Sequence, residues 1–380
     1  MDVASFRAII KAQKAAGLDV ERMLAVQNII NDVRSQGDAA VVDYTNRFDG
    51  QNYTNAEAFR VSPDRLKASW DELSPELQAS LKTTKARIEA YEQSILYQDM
   101  IGEEISYVYH PLEVAGFYIP GGQALYPSTV LMTIVPAIVA GVTNFVVTTP
   151  VFAETSITFA ALYLCGVTDN VFAIGGAQAI AAMAYGTETI PNGDVAIDAI
   201  AGPSEILLYV DDSIPVDAIV YDIFAQAEHD QAARTYLLCE SQSFADKITA
   251  RIKELLPLQS RYEIIEQSIT DNHYSIVDTR SNLLAILNQI APEHVSIQHR
   301  DQDAIVDQVQ YAGAVFKGYY AMEAIGDYVA GPSHVLPTGG TARFSQGLTA
   351  NDFRTANAVI NIKKATYDQI ATAGELLAEA

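Results

Sequence analysis

Cysteine and basic side chains are what this chain has least of. Its two cysteines, Cys165 and Cys239, form no CxxC pair, which excludes a disulfide framework and a cysteine-held zinc site. The 24 Lys and Arg residues are outnumbered by 47 Asp and Glu residues, giving a formal charge of -23. A field of this sign repels phosphate backbones and anionic lipid headgroups, so we expect no nucleic-acid or membrane partner. With 380 residues and 49% hydrophobic content, the chain can bury a large core.

A long apolar run is also missing from the N-terminus, where Asp2, Arg7 and Lys11 interrupt any secretory signal core. We therefore expect a cytoplasmic protein. Residues 114–153 carry no formal charge, and on length alone they could cross a bilayer. Prolines and glycines cut this stretch into pieces that lipid would not tolerate, so it predicts a buried helix and strand of a soluble domain.

The apolar pattern changes along the chain. Residues 20–97 show helical periodicity, whereas short β-branched runs alternate with helical segments over 116–185 and again over 205–297. Strands that alternate with helices of this length predict an α/β fold with doubly wound parallel sheets, preceded by a helical N-terminal region. Gly, Thr and Ser become frequent after Val335, which predicts an ordered loop over a site.

Three single elements are predicted from local signals. The first β-branched run predicts a strand over Ile105–Tyr109 that opens the strand and helix series. Ser128 is predicted to cap a helix that ends near Ala140. The final helix is predicted over Lys364–Ala380.

Three of the six histidines have polar surroundings that suit metal or proton chemistry. Gln226 and His229 are three apart near the end of a predicted helix, so they lie on one face and could offer an amide oxygen and an imidazole to one cation. The alternative is a histidine that only interacts favourably with a helix C-terminus. This segment alone leaves both interpretations open.

The other two histidines each stand near a carboxylate. In Glu293-His294, the imidazole could take an alcohol proton and the carboxylate could activate water. The alternative is a solvated Glu beside a His bonded to the backbone. Asp327 and His334 lie on a Gly-rich turn. Turn chemistry alone can explain the glycines and the proline there.

Two glycine turns follow predicted strands and could bring the backbone close to a ligand. They are Pro120-Gly121-Gly122 and the run from Gly175 to Gln178. Neither is the GxGxxG fingerprint of dinucleotide-binding folds, so their spacing names no cofactor.

Taken in order, several long motifs resemble the histidinol dehydrogenase family. The likeness spans almost the whole chain. The matching stretches are GDAAVVDYTNRFDG from Gly37, FYIPGGQALYPSTVLMTIVPAIVAGV from Phe117, IGGAQAIAAMAYGTETIP from Ile174, AIDAIAGPSE from Ala196, AQAEHD from Ala225, IAPEHVSIQ from Ile290 and AIGDYVAGPSHVLPTGGTARFSQGL from Ala324.

The resemblance implies a zinc-dependent oxidation of L-histidinol, through the aldehyde, to L-histidine, with two NAD reduced in succession. Carried onto this sequence, it implies that Gln226, His229 and Asp327 bind the zinc ion. It implies that His294 is the base that deprotonates the alcohol and that Glu293 activates water against the aldehyde.

The resemblance also implies which residues hold the two small molecules. Ser204 and His334 would contact the substrate, together with the implied zinc ligands and the base, namely Gln226, His229, Asp327 and His294. Tyr118 and Gln178 match the positions that contact NAD.

For the architecture, the resemblance implies two doubly wound, Rossmann-like lobes in an intertwined homodimer. We expect a first lobe from 1–115 and 205–348, a second from 116–204, and a C-terminal tail over 349–380.

Relative to the family pattern the chain lacks two segments. Only Asn192 to Val195 stand where the family carries an NAD-contacting segment of about twenty residues, and this link is too short for a crossover helix. The family's C-terminal tail, with a substrate-binding Glu and the last zinc-ligand His, is also missing.

Three other hypotheses stay open at this point. The chain could be an impaired enzyme or a paralogue that oxidises another small polar alcohol. It could also be a catalytically inactive relative that keeps the fold and the dimer. A metal-dependent hydrolase would use similar residue types, but the order of the motifs argues against it.

Overall fold

The structure is a computed structural model that describes residues 1–15, 20–121, 125–192, 195–197 and 204–379. It confirms an α/β fold with parallel sheets. The strands are β1 (Ile105–Pro111), β2 (Val114–Tyr118), β3 (Asn144–Thr148), β4 (Val171–Phe172), β5 (Val195–Ile197), β6 (Glu205–Val210), β7 (Arg234–Cys239), β8 (His273–Val277), β9 (His294–Gln298), β10 (Ala314–Lys317) and β11 (Arg354–Ile360).

The helices surround two parallel sheets. They are α1 (Val3–Ala15), α2 (Val20–Gln36), α3 (Asp38–Asp49), α4 (Pro63–Asp71), α5 (Pro75–Ile95), α6 (Pro127–Ala140), α7 (Ile157–Leu164), α8 (Gly176–Tyr185), α9 (Val216–Ala227), α10 (Gln242–Leu255), α11 (Tyr262–Asn272), α12 (Arg280–Ile290), α13 (Gln302–Val306), α14 (Glu323–Ile325) and α15 (Lys364–Glu379). In the parts of the chain that the structure describes, none of them combines the length and the apolar character needed to cross a bilayer.

The two parallel sheets match the two predicted series. One has five strands in the order β10-β9-β6-β7-β8, and the other has four in the order β4-β3-β2-β5. In each sheet the chain runs outward from an inner strand and then returns to that strand's other side, which is the doubly wound arrangement. β6 is buried at every position, as expected for a strand covered by helices on both faces.

The N-terminal helices cover the four-stranded sheet. Phe59 of the helical region shares a core with Val146 and Phe172, whereas Leu66 and Ile88 join the core around α6. α1 packs against the five-stranded sheet. The proposed boundaries of the two lobes stay a prediction.

Two local predictions are corrected. α6 begins at Pro127 with Tyr126 in the capping position, so Ser128 lies inside the first turn and does not cap it. Proline at the first helical position, where no N–H is needed, sets this start. The strand that begins at Ile105 does not open a parallel series; it pairs antiparallel with β11, which the sequence pattern missed.

The short link before β5 does not prevent a parallel crossover. β5 lies beside β2, with Ala115 opposite Val195 and Phe117 opposite Ile197. α8 connects β4 to β5 and so serves as the crossover helix, and the link needs none of its own. Gly193, Asp194 and the residues from 198 to 203 lie outside the described ranges.

A reciprocal clamp holds α3 against the loop that follows α8. The N–H of Asp38 donates to Glu188 at 2.9 Å, and the Thr189 hydroxyl donates to the Asp38 carboxylate at 2.6 Å. Gly37 begins this clamp with a φ of +56°, and a Cβ there would lie 2.4 Å from the Glu188 carboxylate. Only glycine fits both the backbone angle and the space.

We expect Gly37→Ala to lower the free energy of unfolding by about 1–3 kcal/mol, because the methyl group both strains the backbone and displaces Glu188. Denaturant titration would measure the change. Gly374→Ala is the matched control, since a methyl group there meets nothing within 4 Å and lies inside a helix. Equal stability of the two variants would contradict the clamp.

Candidate active site

The candidate site lies at the amino ends of β6 and β9, which are neighbours in the five-stranded sheet. Ser204 immediately precedes β6, while Glu293 and His294 stand at the start of β9. α9 ends beside them and carries Gln226, with His229 just beyond its last turn. Sequence reasoning had no means of placing these segments together, because their proximity depends on strand order.

Glu293 is buried and held by two hydrogen bonds to one oxygen. The Ser204 hydroxyl donates to Oε2 at 2.7 Å, and the N–H of Glu205 donates to the same atom at 2.9 Å. Burial raises the pKa of Glu293 to about 7 despite these two donors. A carboxyl group with this pKa can accept and release a proton near neutral pH.

His294 is buried with a defined tautomer. Its Nδ1 lies 3.2 Å from the Glu205 carbonyl oxygen and 3.3 Å from Gln226 Oε1, and both atoms are acceptors. Nδ1 therefore carries the proton, and Nε2 keeps a lone pair for which the described residues supply no hydrogen-bond partner. Burial lowers the pKa of His294 to about 3, so the ring is neutral and able to accept a proton.

Gln226 connects the two catalytic candidates. Its side chain is fully buried; Nε2 donates to the Ser204 hydroxyl at 2.6 Å, and Oε1 faces His294. The amide thus orients Ser204, which donates to Glu293. These four side chains form one hydrogen-bonded network.

His229, Glu323 and Asp327 form a cluster whose ligand atoms all lie within 4.8 Å of one another. His229 Nε2 is 3.8 Å from Asp327 Oδ2, and His229 Nδ1 is 3.9 Å from Glu323 Oε1. His294 Nε2 is 3.6 Å from Asp327 Oδ1, which places the cluster next to the base. Burial raises the pKa of both carboxyl groups, that of Glu323 well above its usual range. An imidazole and carboxylates at this spacing are suited to a borderline cation such as zinc.

A cavity of about 620 Å³ opens beside this cluster. His294, Asp327 and His334 line it, and Tyr91 and Tyr97 contribute aromatic walls. The His334 ring lies 3.4 Å from the Thr129 hydroxyl, and burial lowers the pKa of His334 to about 4. The predicted substrate residue and the predicted base therefore face one space.

Tyr118 and Gln178 lie on the four-stranded sheet. Tyr118 ends β2 and accepts a hydrogen bond from the N–H of Gly176 at 3.3 Å. Gln178 is buried in the first turn of α8, and its Oε1 has no hydrogen-bond partner in the described ranges. β2 stands between β3 and β5, where the strand order reverses, and ligands of doubly wound sheets bind at the carboxyl end of this point.

Both glycine turns pack closely against Pro150 where the structure describes them. A Cβ on Gly121 would lie 2.9 Å from the Pro150 ring, and one on Gly175 would lie 2.8 Å from it. Close packing is thus a structural reason for both glycines. Gly122 lies outside the described ranges.

Comparison with known proteins gives one consistent result. The model of the histidinol dehydrogenase family matches residues 13–195 and 192–380. A curated histidinol dehydrogenase of Staphylococcus saprophyticus is 45% identical to the chain, and the match covers 93% of this chain and 88% of the relative. One of Staphylococcus aureus is 43% identical, and that match covers 96% of this chain and 92% of the relative. The chain belongs to the histidinol dehydrogenase family.

A crystal structure of histidinol dehydrogenase from Elizabethkingia anophelis agrees. It superposes with a TM-score of 0.88 and 29% identity over 96% of this chain and 89% of that one. Membership confirms the family resemblance and the expectation of an NAD-dependent oxidoreductase of histidine biosynthesis. The roles assigned to single residues stay predictions.

The two matched stretches meet at residues 192–195, which is the short link noted in the sequence. The departure from the histidinol dehydrogenase pattern is therefore local. The chain on either side of it follows the family.

Sequence reasoning missed Glu323, which the structure places in the candidate metal cluster. Glu323 precedes Asp327 by four residues, and four is the spacing at which two side chains share a helical face. That spacing was the available signal. It was overlooked because no histidine stands nearby in the sequence.

Proposed function

We propose that this chain oxidises L-histidinol through the aldehyde to L-histidine, using a zinc ion and two NAD in succession. The observation that carries the proposal is the pairing of a neutral base, His294, with a buried carboxyl group, Glu293, beside a three-residue metal cluster. An alcohol oxidation needs the first group, and an aldehyde oxidation needs the second.

The zinc ion would be held by Gln226, His229 and Asp327. The fit is supported by buried polar atoms near this cluster that have no hydrogen-bond partner within the described part of the chain, among them His294 Nε2 and both oxygens of Glu323. When bound, zinc supplies a Lewis acid that polarises the substrate oxygen.

His294 takes the alcohol proton through Nε2. Its other nitrogen is fixed by the Glu205 carbonyl and the Gln226 amide, so the ring presents the acceptor to the cavity. NAD accepts the hydride that leaves the alcohol carbon. The products of this step are the aldehyde, NADH and a proton.

Glu293 serves the second oxidation. As a carboxylate it removes a proton from water, whose oxygen then bonds to the aldehyde carbon and gives the hydrate. Ser204 and the N–H of Glu205 hold the carboxylate in place. A second NAD accepts the hydride that leaves the hydrate carbon, one hydroxyl of the hydrate loses its proton, and the acid is formed.

The substrate would bind at the five-stranded sheet, and the dinucleotide would bind at the four-stranded sheet. Ser204 and His334, with the zinc ligands and His294, would hold the polar substrate in the cavity of about 620 Å³. Tyr118 and Gln178 would contact NAD at the reversal of the strand order in the other sheet.

A homodimer and a cytoplasmic location belong to the same proposal. The arm of β1 and β11, with α15 after it, exposes large apolar side chains: Ile105 is 53%, Ile360 68% and Leu377 80% exposed. Burial against a second copy would remove this surface from water. Both cysteines are free and buried, which fits a reducing compartment.

Turnover of L-histidinol with measured stoichiometry tests the proposal. Zinc-loaded protein should form two NADH per L-histidinol, and chelation should reduce the rate by at least about 10²-fold until zinc is restored. Turnover of another polar alcohol in place of histidinol would replace the proposal with the paralogue hypothesis. A folded, zinc-treated protein that forms no NADH from any of them would overturn it in favour of an inactive relative.

A further inference from the structure

Glu323 is a buried carboxyl group to which the described residues donate no hydrogen bond. Its side chain is 1% exposed, and neither carboxylate oxygen has a hydrogen-bond partner among the described residues. A buried carboxylate normally accepts several hydrogen bonds or pairs with a cation, because desolvation without compensation is costly. A bound cation would supply the partner that both oxygens lack among these residues.

The largest electrostatic effects on Glu323 come from acidic groups, and the basic group beside it is His229, whose Nδ1 lies 3.9 Å from Oε1. Asp327, Asp222, Glu293 and Glu228 each act on it electrostatically in the same unfavourable sense. Asp222 accepts a hydrogen bond from the N–H of Glu323, so this neighbour fixes the main chain and leaves the side chain unpaired. A bound cation is the partner that satisfies Glu323 and Asp327 together.

The second observation concerns the amide of Gln226, an expected zinc ligand. Its nitrogen donates to Ser204 at 2.6 Å, and its oxygen lies 3.3 Å from the protonated nitrogen of His294. The amide oxygen is thus shared with the base. The Glu323 oxygens have no competing hydrogen-bond partner among the residues that the structure describes.

We propose that Glu323 is a direct ligand of the catalytic metal ion, alongside His229 and Asp327. This inference rests on the proposed zinc site and adds a ligand that the family resemblance did not include. The carboxylates of Glu323 and Asp327 together balance the charge of a divalent ion. Glu323 is then the fourth protein ligand beside Gln226, His229 and Asp327.

Zinc affinity of the full chain, measured by competition with a chromophoric chelator, tests this role. Loss of a residue that only supports a ligand costs about 10- to 100-fold in metal affinity. Glu323→Gln keeps the shape and removes the charge, so we expect a loss greater than about 100-fold. Glu228→Gln is the matched control, because it removes a nearby charge that lies outside the cluster.

The thermal midpoint gives a readout independent of activity. Without metal, Glu323→Gln should melt close to the parent, because neither carboxyl oxygen has a hydrogen-bond partner among the described residues to lose; this also shows that the variant folds. Added zinc should raise the midpoint of the parent and of Glu228→Gln far more than that of Glu323→Gln.

The outcomes separate this inference from the proposed function. A parent that binds no zinc overturns the zinc site itself. A parent that binds zinc, with a Glu323→Gln affinity within about 100-fold of it, overturns only the ligand role of Glu323.

Discussion

His294→Ala should lower kcat for the first oxidation by about 10²- to 10⁴-fold, the range that a positioned general base contributes. The reason is geometric: Nε2 is the acceptor that faces the cavity, and no hydrogen-bond donor in the described part of the chain occupies its lone pair. Removing the ring also leaves the amide oxygen of Gln226 without its neighbour. Stopped-flow measurement of NADH formation from L-histidinol would record the loss.

The control for this variant lies on the same strand. His299 follows the carboxyl end of β9, where its Nδ1 accepts a hydrogen bond from the N–H of Asp301 at 2.9 Å. His299→Ala removes an equally large buried ring at the opposite end of the sheet from the site. If His294→Ala retained a rate within tenfold of the His299→Ala rate, His294 would not be the base.

Glu293→Gln should leave the first oxidation largely intact and stop the second. The amide has the shape of the carboxyl group but cannot take a proton from water, so we expect a fall of about 10²- to 10⁴-fold in aldehyde oxidation. NADH formed per L-histidinol should drop from two to one, and the aldehyde should be trapped by a hydrazide reagent. Stoichiometry and trapping together measure the effect.

The role of Glu293 also predicts how the rate of aldehyde oxidation changes with pH. Only the deprotonated carboxylate acts as a base, and burial raises the pKa of Glu293 to about 7. In the parent, the rate of aldehyde oxidation should therefore rise as the pH rises through about 7 and level off above it. Glu293→Gln should lose this rise.

Glu205→Gln is the matched control for Glu293→Gln. Glu205 is also buried, but its carboxylate pairs with Arg234 at 3.3 Å and accepts from the N–H of Gly339 at 3.1 Å. An equal loss of aldehyde oxidation in both variants would point to general disturbance of the site and contradict a specific role of Glu293.

The position of the site within the fold explains why its parts are far apart in the sequence. Parallel strands bring their amino ends to one edge, so the segments before β6 and β9 meet although 89 residues separate Ser204 from Glu293. The dinucleotide residues instead lie at the carboxyl end of β2. One chain thus uses opposite strand ends in its two sheets for its two predicted sites.

The parallel α/β architecture could be predicted from the order of residues alone, because alternating strand and helix patterns and short connections allow few other arrangements. The motifs also determined the family, since several long stretches occur in the family's order. Glu293 and His294 could be chosen as candidates because the chemistry of a carboxylate beside an imidazole depends on residue type alone.

The other features depend on contacts between distant residues. β1 pairs with β11, with Ile105 opposite Ile360, a separation that no local pattern records. The proposed ligand role of Glu323 rests on burial and on the lack of a hydrogen-bond partner among the described residues, and both are properties of the surrounding fold. Local periodicity reports which face of an element is apolar, whereas strand order and polar satisfaction depend on residues distant in the chain.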